Sequence, residues 1–319
     1  MKSYLTILVT AIGSFSADCV IKTLKSNGHK VVGSDIYPAV WHAVSKDCDK
    51  VYQAPLAINE KEYIDFLLDI SQIESVDFII PLTDLEIDVI NRNRDAFNAS
   101  FVTVLMQSEN CLRIARNKLA MYELFKESDI VNLPYSGSSK TIDMSFPLPA
   151  VAKPINGRSS EGLMHISNVE QLSNVTKLSN YLVQEHLSGS VFTVDYVRDR
   201  KGNDFSVPRE ELLRTKNGAG TTVRILNDEK LCSIVSYIGE KLDIIGCVNM
   251  EFILNEGKYH LIDINPRFSA GVAFSNFVGF DMVTSHINAF MDKPINAKVL
   301  FNEQILTKRY KEELLLESV

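Results

Sequence analysis

The densest group of chemistry-bearing residues in this 319-residue chain is Leu261-Ile262-Asp263-Ile264-Asn265-Pro266-Arg267-Phe268. Apolar and polar residues alternate, so the run reads as a strand on which Asp263 and Asn265 share a face. Ahead of it, Asn249-Met250-Glu251-Phe252 belongs to the other arm of a hairpin turning at Asn255-Glu256-Gly257, which can bring Glu251 alongside. Two carboxylates and an amide oxygen form a hard, all-oxygen set, suited to Mg²⁺ shared with a substrate's phosphates. Pro266 ends the strand, and Arg267 supplies a planar fork that fits a phosphoryl oxygen. The same alternation also describes carboxylates that merely face solvent on an antiparallel sheet, so the group alone does not establish a metal site.

A second group is Lys153 at a strand end, followed by a loop containing Gly157, Arg158, Ser159, Ser160 and Gly162. Backbone N–H groups of such a loop can nest around phosphate while the lysine neutralises charge, although a plain hairpin turn has the same composition. No GxxxxGK[ST] motif occurs. Gly13 and Asp35 have the spacing of a glycine turn and a ribose-binding acid, but the turn has one of the three glycines a dinucleotide fold needs. Nicotinamide binding is therefore disfavoured. The histidines, among them His29, His42, His165, His260 and His286, have no paired nucleophile in sequence and read as structural. The five cysteines are scattered, with no CxxC pair, which argues for reduced thiols rather than disulfides or zinc.

The elements that must position these groups change character along the chain. Up to about residue 110, strands (5–10, 30–36, 76–81, 101–105) alternate with helices (16–26, 60–70, 84–97), the rhythm of parallel βαβ units. The short apolar start fits a buried first strand better than a signal peptide. Beyond it, residues 108–128 read as helical, and proline breaks at Phe146-Pro147 and Leu148-Pro149 precede a strand at 150–153. Further strands (163–167, 181–186), a helix at 168–178, antiparallel alternation from Ser190, a helix at 229–242 and the hairpin follow. Residues 304–318 read as a charged terminal helix. Hydrophobic residues make up 45% and charged residues 23% of the chain, enough to bury a core and ordinary for a globular enzyme. The net charge of −7 argues against a nucleic-acid scaffold, and no apolar run approaches a membrane span.

Together these stretches resemble the ATP-grasp superfamily, particularly its carboxylate–amine ligases of the carbamoyl-phosphate synthase large-subunit kind. VTAIGSFSADCVIKTLKSNGHKVVGSD resembles the pre-ATP-grasp domain. NKLAMYELFKESDIVNLPY resembles the helix carrying the first nucleotide-binding lysine, here Lys118. AVAKPINGRSSEGL resembles the strand with the second, Lys153, and the phosphate-covering loop with Gly157, Ser159, Ser160 and Gly162. YLVQEHLSG resembles the hinge of Gln184, Glu185, His186 and Leu187, whose backbone at Glu185 and Leu187 would meet adenine. NMEF and LIDINPRFSAG resemble the metal and phosphate motif. The resemblance implies ATP and Mg²⁺, or Mn²⁺ in its place, with Glu251, Asp263 and Asn265 as ligands and Arg267 on the transferred phosphate. It implies an α/β and α+β fold: a Rossmann-like parallel-sheet domain (1–110), then a two-lobed ATP-grasp fold with a lid (111–187) and a large subdomain (188–319). Two departures stand out. Asp263 replaces the usual Glu, and Gly189-Ser190-Val191 follows the hinge where the family commonly supplies a Glu to the ribose.

The expected activity is ATP-dependent activation of a small-molecule carboxylate as an acyl phosphate, which an amine then attacks. Arg214, Lys216 and Arg224 are candidates for the acceptor carboxylate or the acyl phosphate. The expectation is a cytoplasmic enzyme with no nucleic-acid or membrane partner, and the resemblance is compatible with a homodimer. The altered Asp263 and the missing ribose Glu motivate an alternative, an ATP-binding subunit that is inactive by itself.

Overall fold

Strand β1 (Thr6–Val9) is buried along its whole length, because the run Thr6-Ile7-Leu8-Val9 is covered on both faces. It feeds helix α1 (Ala17–Ser26), whose Ala17, Val20, Ile21 and Leu24 form the buried stripe. Strands β2 (Lys30–Asp35) and β3 (Lys50–Gln53), helix α2 (Glu60–Glu74) and strand β4 (Phe78–Ile80) follow, then helices α3 (Asp84–Arg92) and α4 (Arg94–Asn98) and strand β5 (Thr103–Val104). The strands form a parallel sheet in the order β3-β2-β1-β4-β5. The single helix expected over 84–97 breaks at Asn93, whose side chain donates to the Val89 carbonyl and to Glu60 instead of letting the helix continue. This computed structural model describes residues 4–100, 102–157, 161–216 and 218–309.

The helical run expected over 108–128 is likewise two helices, α5 (Glu109–Ala115) and α6 (Lys118–Phe125), each with its own N-cap. Ser108 accepts from the Cys111 N–H and Asn117 from the Ala120 N–H. A four-stranded antiparallel lid follows: β6 (Ser136–Ser138), β7 (Ala150–Pro154), β8 (Met164–Ile166), helix α7 (Val169–Val175) and β9 (Tyr181–Glu185), in the order β6-β9-β7-β8. Its small core gathers Phe146, Ala150, Ala152, Ile166, Leu172, Val175 and Val183.

The large lobe comprises β10 (Ser190–Arg198), β11 (Asp204–Arg214), β12 (Gly220–Ile225), α8 (Glu229–Lys241), β13 (Gly246–Asn255), β14 (Lys258–Asn265), α9 (Val272–Phe277), α10 (Met282–Phe290) and β15 (Gln304–Thr307). Its antiparallel sheet runs β14-β13-β10-β11-β12-β15. The terminal helix expected over 304–318 is corrected here. Residues 304–307 form β15, paired antiparallel with β12 through Thr222 and Thr307, and the remainder of that stretch from residue 310 lies outside the described residues. The β-branched Ile305 and Thr307 suit an edge strand, whereas the helical reading extended the charged segment too far back.

Packing ties the lobes together. Cys111, Ile114, Met121 and Phe125 of α5 and α6 share a core with α8, β13 and β14 of the large lobe, not with the lid. Leu5, Ile7, Val9 and the buried face of α1 share another with Val197, Val207, Val223, Phe268 and α10. The N-terminal sheet and the large lobe therefore form one continuous apolar body. The lid keeps its own core.

Candidate nucleotide and metal site

Antiparallel register sets the metal group. Glu251 on β13 stands directly opposite Asp263 on β14, and Asn249 opposite Asn265. Directly opposed residues project to the same side of a sheet, so all four side chains share one face. The Asn265 amide lies 3.4 Å from both Glu251 Oε1 and Asn249 Oδ1. A bulge between Glu251 and Phe252 shifts the ladder next to the carboxylates.

Cationic side chains sit on both acids. Lys118 Nζ is 3.1 Å from Asp263 Oδ1, and Arg214 Nη2 is 3.0 Å from Glu251 Oε2. Lys118 is the first residue of α6, held there by the Asn117 cap and by its own N–H donating to the Ile155 carbonyl. Its Nζ also donates to the Gly157 carbonyl, which ties the start of the 157–162 loop to the acids. Lys153, on lid strand β7, donates to the Ile262 carbonyl, one residue before Asp263. Burial pushes the Lys153 ammonium down to about 8; Lys118 adds to the shift, and Asp263 and Glu251 oppose it. Two lysines from opposite lobes thus meet β14 side by side, Lys118 on the Asp263 carboxylate and Lys153 on the neighbouring Ile262 carbonyl.

The remaining expected residues are distributed as follows. Gln184, Glu185, His186 and Leu187 line the same cleft of about 900 Å³. The Glu185 N–H donates to the Tyr135 carbonyl, the Glu185 carboxylate accepts from the Tyr135 N–H, and the His186 N–H donates to the Pro149 carbonyl. Gln184 is buried against Ser136. Gly162 takes a φ of +72°, which favours glycine, and a Cβ there would crowd Pro154 and the Tyr181 hydroxyl. Ser159 and Ser160 lie outside the described residues. Lys216 is exposed and is not among the described residues lining the cleft; Arg224 pairs with Glu210 beside a separate depression. At the hinge departure, a Cβ on Gly189 would overlap the Leu254 carbonyl oxygen, so close backbone approach explains why no side chain stands there.

Three features escaped sequence reasoning. Arg267 does line the cleft, but its fork is closed on Asp84 at the start of α3, at 3.0 and 2.9 Å across 183 residues. Arg116 flanks Asp84 at 3.7 Å and forms two 2.9 Å bonds to Asp88. Burial opposes ionisation of Asp84, yet Arg267 and Arg116 outweigh it and hold the carboxyl below the usual range. Second, Arg209 is fully buried on the cleft floor. It donates to Asp195 (2.8 Å), Glu211 (3.2 Å) and Ser269 (3.2 Å), the pairing that makes a buried guanidinium tolerable. Asp195, flanked by apolar residues in the middle of β10, was the available signal; Arg209 stands in the charged run Arg209-Glu210-Glu211 of β11 and gave none. Third, Asp35 is consumed by its own turn: it accepts from the Gly13 and Tyr37 N–H groups and lies 3.1 Å from His42 Nε2. His286 is buried, pushed down to about 4 by that burial, and accepts from the Cys247 N–H, a structural role.

Residues 115–271 match the ATP-grasp domain family, and residues 7–105 match the family described as PylC-like, N-terminal domain. The carbamoyl phosphate synthase large chain of Caldanaerobacter subterraneus subsp. tengcongensis is 24% identical over 218 residues, 61% of this chain and 20% of that one. This chain therefore spans about a fifth of that relative's length. Among solved structures, the biotin carboxylase domain dimer of Hydrogenobacter thermophilus 2-oxoglutarate carboxylase, in complex with MgADP, ADP and bicarbonate, superposes with a TM-score of 0.76. It shares 16% identity, with coverage of 93% of this chain and 73% of that chain. L-amino acid ligase from Bacillus licheniformis gives 0.70 at 15% identity, with coverage of 91% and 75%. At these identities the structural likenesses establish the fold. Among the described residues no helix is long and apolar enough to cross a membrane. The chain thus carries an ATP-grasp domain over residues 115–271 behind a PylC-like N-terminal domain over residues 7–105.

Proposed function

We propose that the protein is a carboxylate–amine ligase that consumes ATP and works through an acyl phosphate. The observation that carries this reading is the placement of Lys118 on Asp263 and of Lys153 on the adjacent Ile262 carbonyl, with Glu251 and Asn265 beside them, in one cleft. ATP would lie with adenine against the hinge at Glu185–Leu187 and its α and β phosphates between the two lysines. A carboxylate oxygen of the substrate attacks the γ-phosphorus and ADP leaves, giving the acyl phosphate. The amine nitrogen then attacks the acyl carbon, phosphate departs and the amine loses a proton. Little covalent work falls to the protein, which positions the reactants and stabilises charge.

The donor set fits a divalent ion held jointly with phosphate. Two carboxylates and an amide oxygen share a face, and the carboxylates are now neutralised by Lys118 and Arg214. Mg²⁺ prefers few protein ligands plus phosphate oxygens, a need that two carboxylates and an amide oxygen can meet; among the described residues no group of three acidic, histidine or cysteine side chains could hold an ion. Glu251, Asp263 and Asn265 would hold Mg²⁺, or Mn²⁺ in its place. When bound, the ion would neutralise the charge that develops on the phosphoryl group. Arg267, oriented by Asp84, meets the transferred phosphoryl group, and Arg214, released from Glu251, meets the substrate carboxylate or the acyl phosphate. A homodimer is part of the same proposal.

The test is ADP release across a panel of paired carboxylates and amines. Release that requires both partners of one pair is expected. ATP bound without turnover across a broad panel would contradict the reading.

A further inference from the structure

The nucleotide and metal groups occupy one side of the cleft, and the N-terminal domain builds the other. Three chain segments leave the C-terminal edge of the parallel sheet, the edge at which doubly wound sheets receive ligands. Each brings bulky apolar side chains to the cleft: Phe15 after β1, Tyr37 after β2, and Leu56 and Ile58 after β3. They are 56, 50, 52 and 74% exposed. The single tryptophan, Trp41, is 69% exposed and stacks on Tyr37, with ring centroids 5.6 Å apart and planes at 27°. Scattered exposed apolar residues are ordinary; several on one wall of a ligand cleft mark a binding surface.

The charged groups of this wall are already engaged. Asp35 is bound by its own turn, Glu86 accepts from the Tyr63 and Thr83 hydroxyls, and Asp84 holds Arg267. Among the described residues before Lys118 that line the cleft, none is lysine or arginine. A phosphate would find no lysine or arginine here, while the apolar side chain of an amino acid would find aromatic and branched residues. The wall is continuous with the nucleotide site, because the turn from Leu82 to Glu86 lines the same cleft and Asp84 grips Arg267.

We propose that this wall is a recognition site for a branched or aromatic apolar group, and that the co-substrate presented to the acyl phosphate is a hydrophobic amino acid rather than a phosphorylated metabolite. Naming the occupant as a co-substrate rests on the ligase reading; the binding itself does not, and needs no nucleotide. The test is therefore a titration of the full chain without ATP, following Trp41 emission and heat, with phenylalanine, leucine, alanine and phosphoserine as probes. Phenylalanine and leucine are expected to bind at least about tenfold more tightly than alanine, as burial of a large apolar side chain implies, and phosphoserine not to bind. A doubly substituted chain, Leu56→Ser with Ile58→Ser, is expected to weaken phenylalanine binding about tenfold. Its circular dichroism and unfolding midpoint should be unchanged, because both positions are exposed. Equal binding of alanine and phenylalanine, binding of phosphoserine, no response to any probe, or a double variant that binds phenylalanine as well as the parent would each overturn the proposal. ADP release is assayed separately: phenylalanine binding with no turnover would keep this site and overturn the ligase reading.

Discussion

Raising the pH should weaken nucleotide binding through Lys153, and the size of the effect follows from its surroundings. Burial lowers the ammonium to about 8, and the charge of Lys118 works in the same direction. If the charged form grips phosphate, the free protein must take up a proton on binding whenever Lys153 is neutral. The sign is then fixed: affinity is full below pH 8 and is lost as pH rises through that value. Linkage gives an apparent Kd for MgADP that roughly doubles at pH 8 and rises about tenfold by pH 9, after which it climbs about tenfold per unit. The phosphate groups, with a second pKa of about 6, are already ionised in this window and add no slope. Calorimetric titration of MgADP at pH 7, 8 and 9, repeated at pH 8.5 in buffers of different ionisation heat, should show uptake of about 0.8 proton. Lys153→Arg, whose guanidinium stays charged, should flatten the profile. A wild-type Kd constant from pH 7 to 9, or the same slope in the arginine variant, would refute the assignment of Lys153 to the phosphates.

Other perturbations test neighbouring links. Asp84→Asn leaves Arg267 and Arg116 without their shared carboxylate, so urea unfolding should show a loss of about 3 kcal/mol. Its kcat should fall while the KM for ATP changes little, because Arg267 is assigned to the transferred group. Asn117→Ala removes the α6 cap and should cost about 1 kcal/mol of stability; because Lys118 is the next residue, the KM for ATP should rise severalfold. Asp263→Asn should lower ADP release by about two orders of magnitude, the scale of a lost metal contact to a charged transition state, and full turnover in that variant would remove the metal assignment.

Much of the fold was legible because local chemistry and global arrangement agree. The buried run of β1, the stripe of α1 and the Asn255-Glu256-Gly257 turn announce their elements without help from distant residues. Counted from the turn, period-two alternation would set Glu251 opposite Ile262; the bulge between Glu251 and Phe252 shifts the ladder by one residue and puts Asp263 there instead. What escaped depends on partners far away in the chain. Asp84 looks like an ordinary first-turn acid, and only the fold brings Arg267 and Arg116 to it. Arg209 looks like one more charge in the run Arg209-Glu210-Glu211, and only its partners on β10 and at Ser269 explain its burial. The helices over 84–97 and 108–128 were joined because their apolar spacing continues across the breaks, whereas Asn93 and Asn117 interrupt them with side-chain bonds to the backbone. The terminal segment was misread because a four-residue strand with two β-branched residues is a weak local signal, and its pairing with β12 is set by the fold.

The most direct measurement uses a substrate carboxylate labelled with ¹⁸O, once a turning-over pair is found. If the carboxylate oxygen attacks the γ-phosphorus, one label per turnover must appear in inorganic phosphate, alongside ADP and the amide. Phosphate free of label, or release of AMP and pyrophosphate in its place, would contradict the acyl-phosphate route.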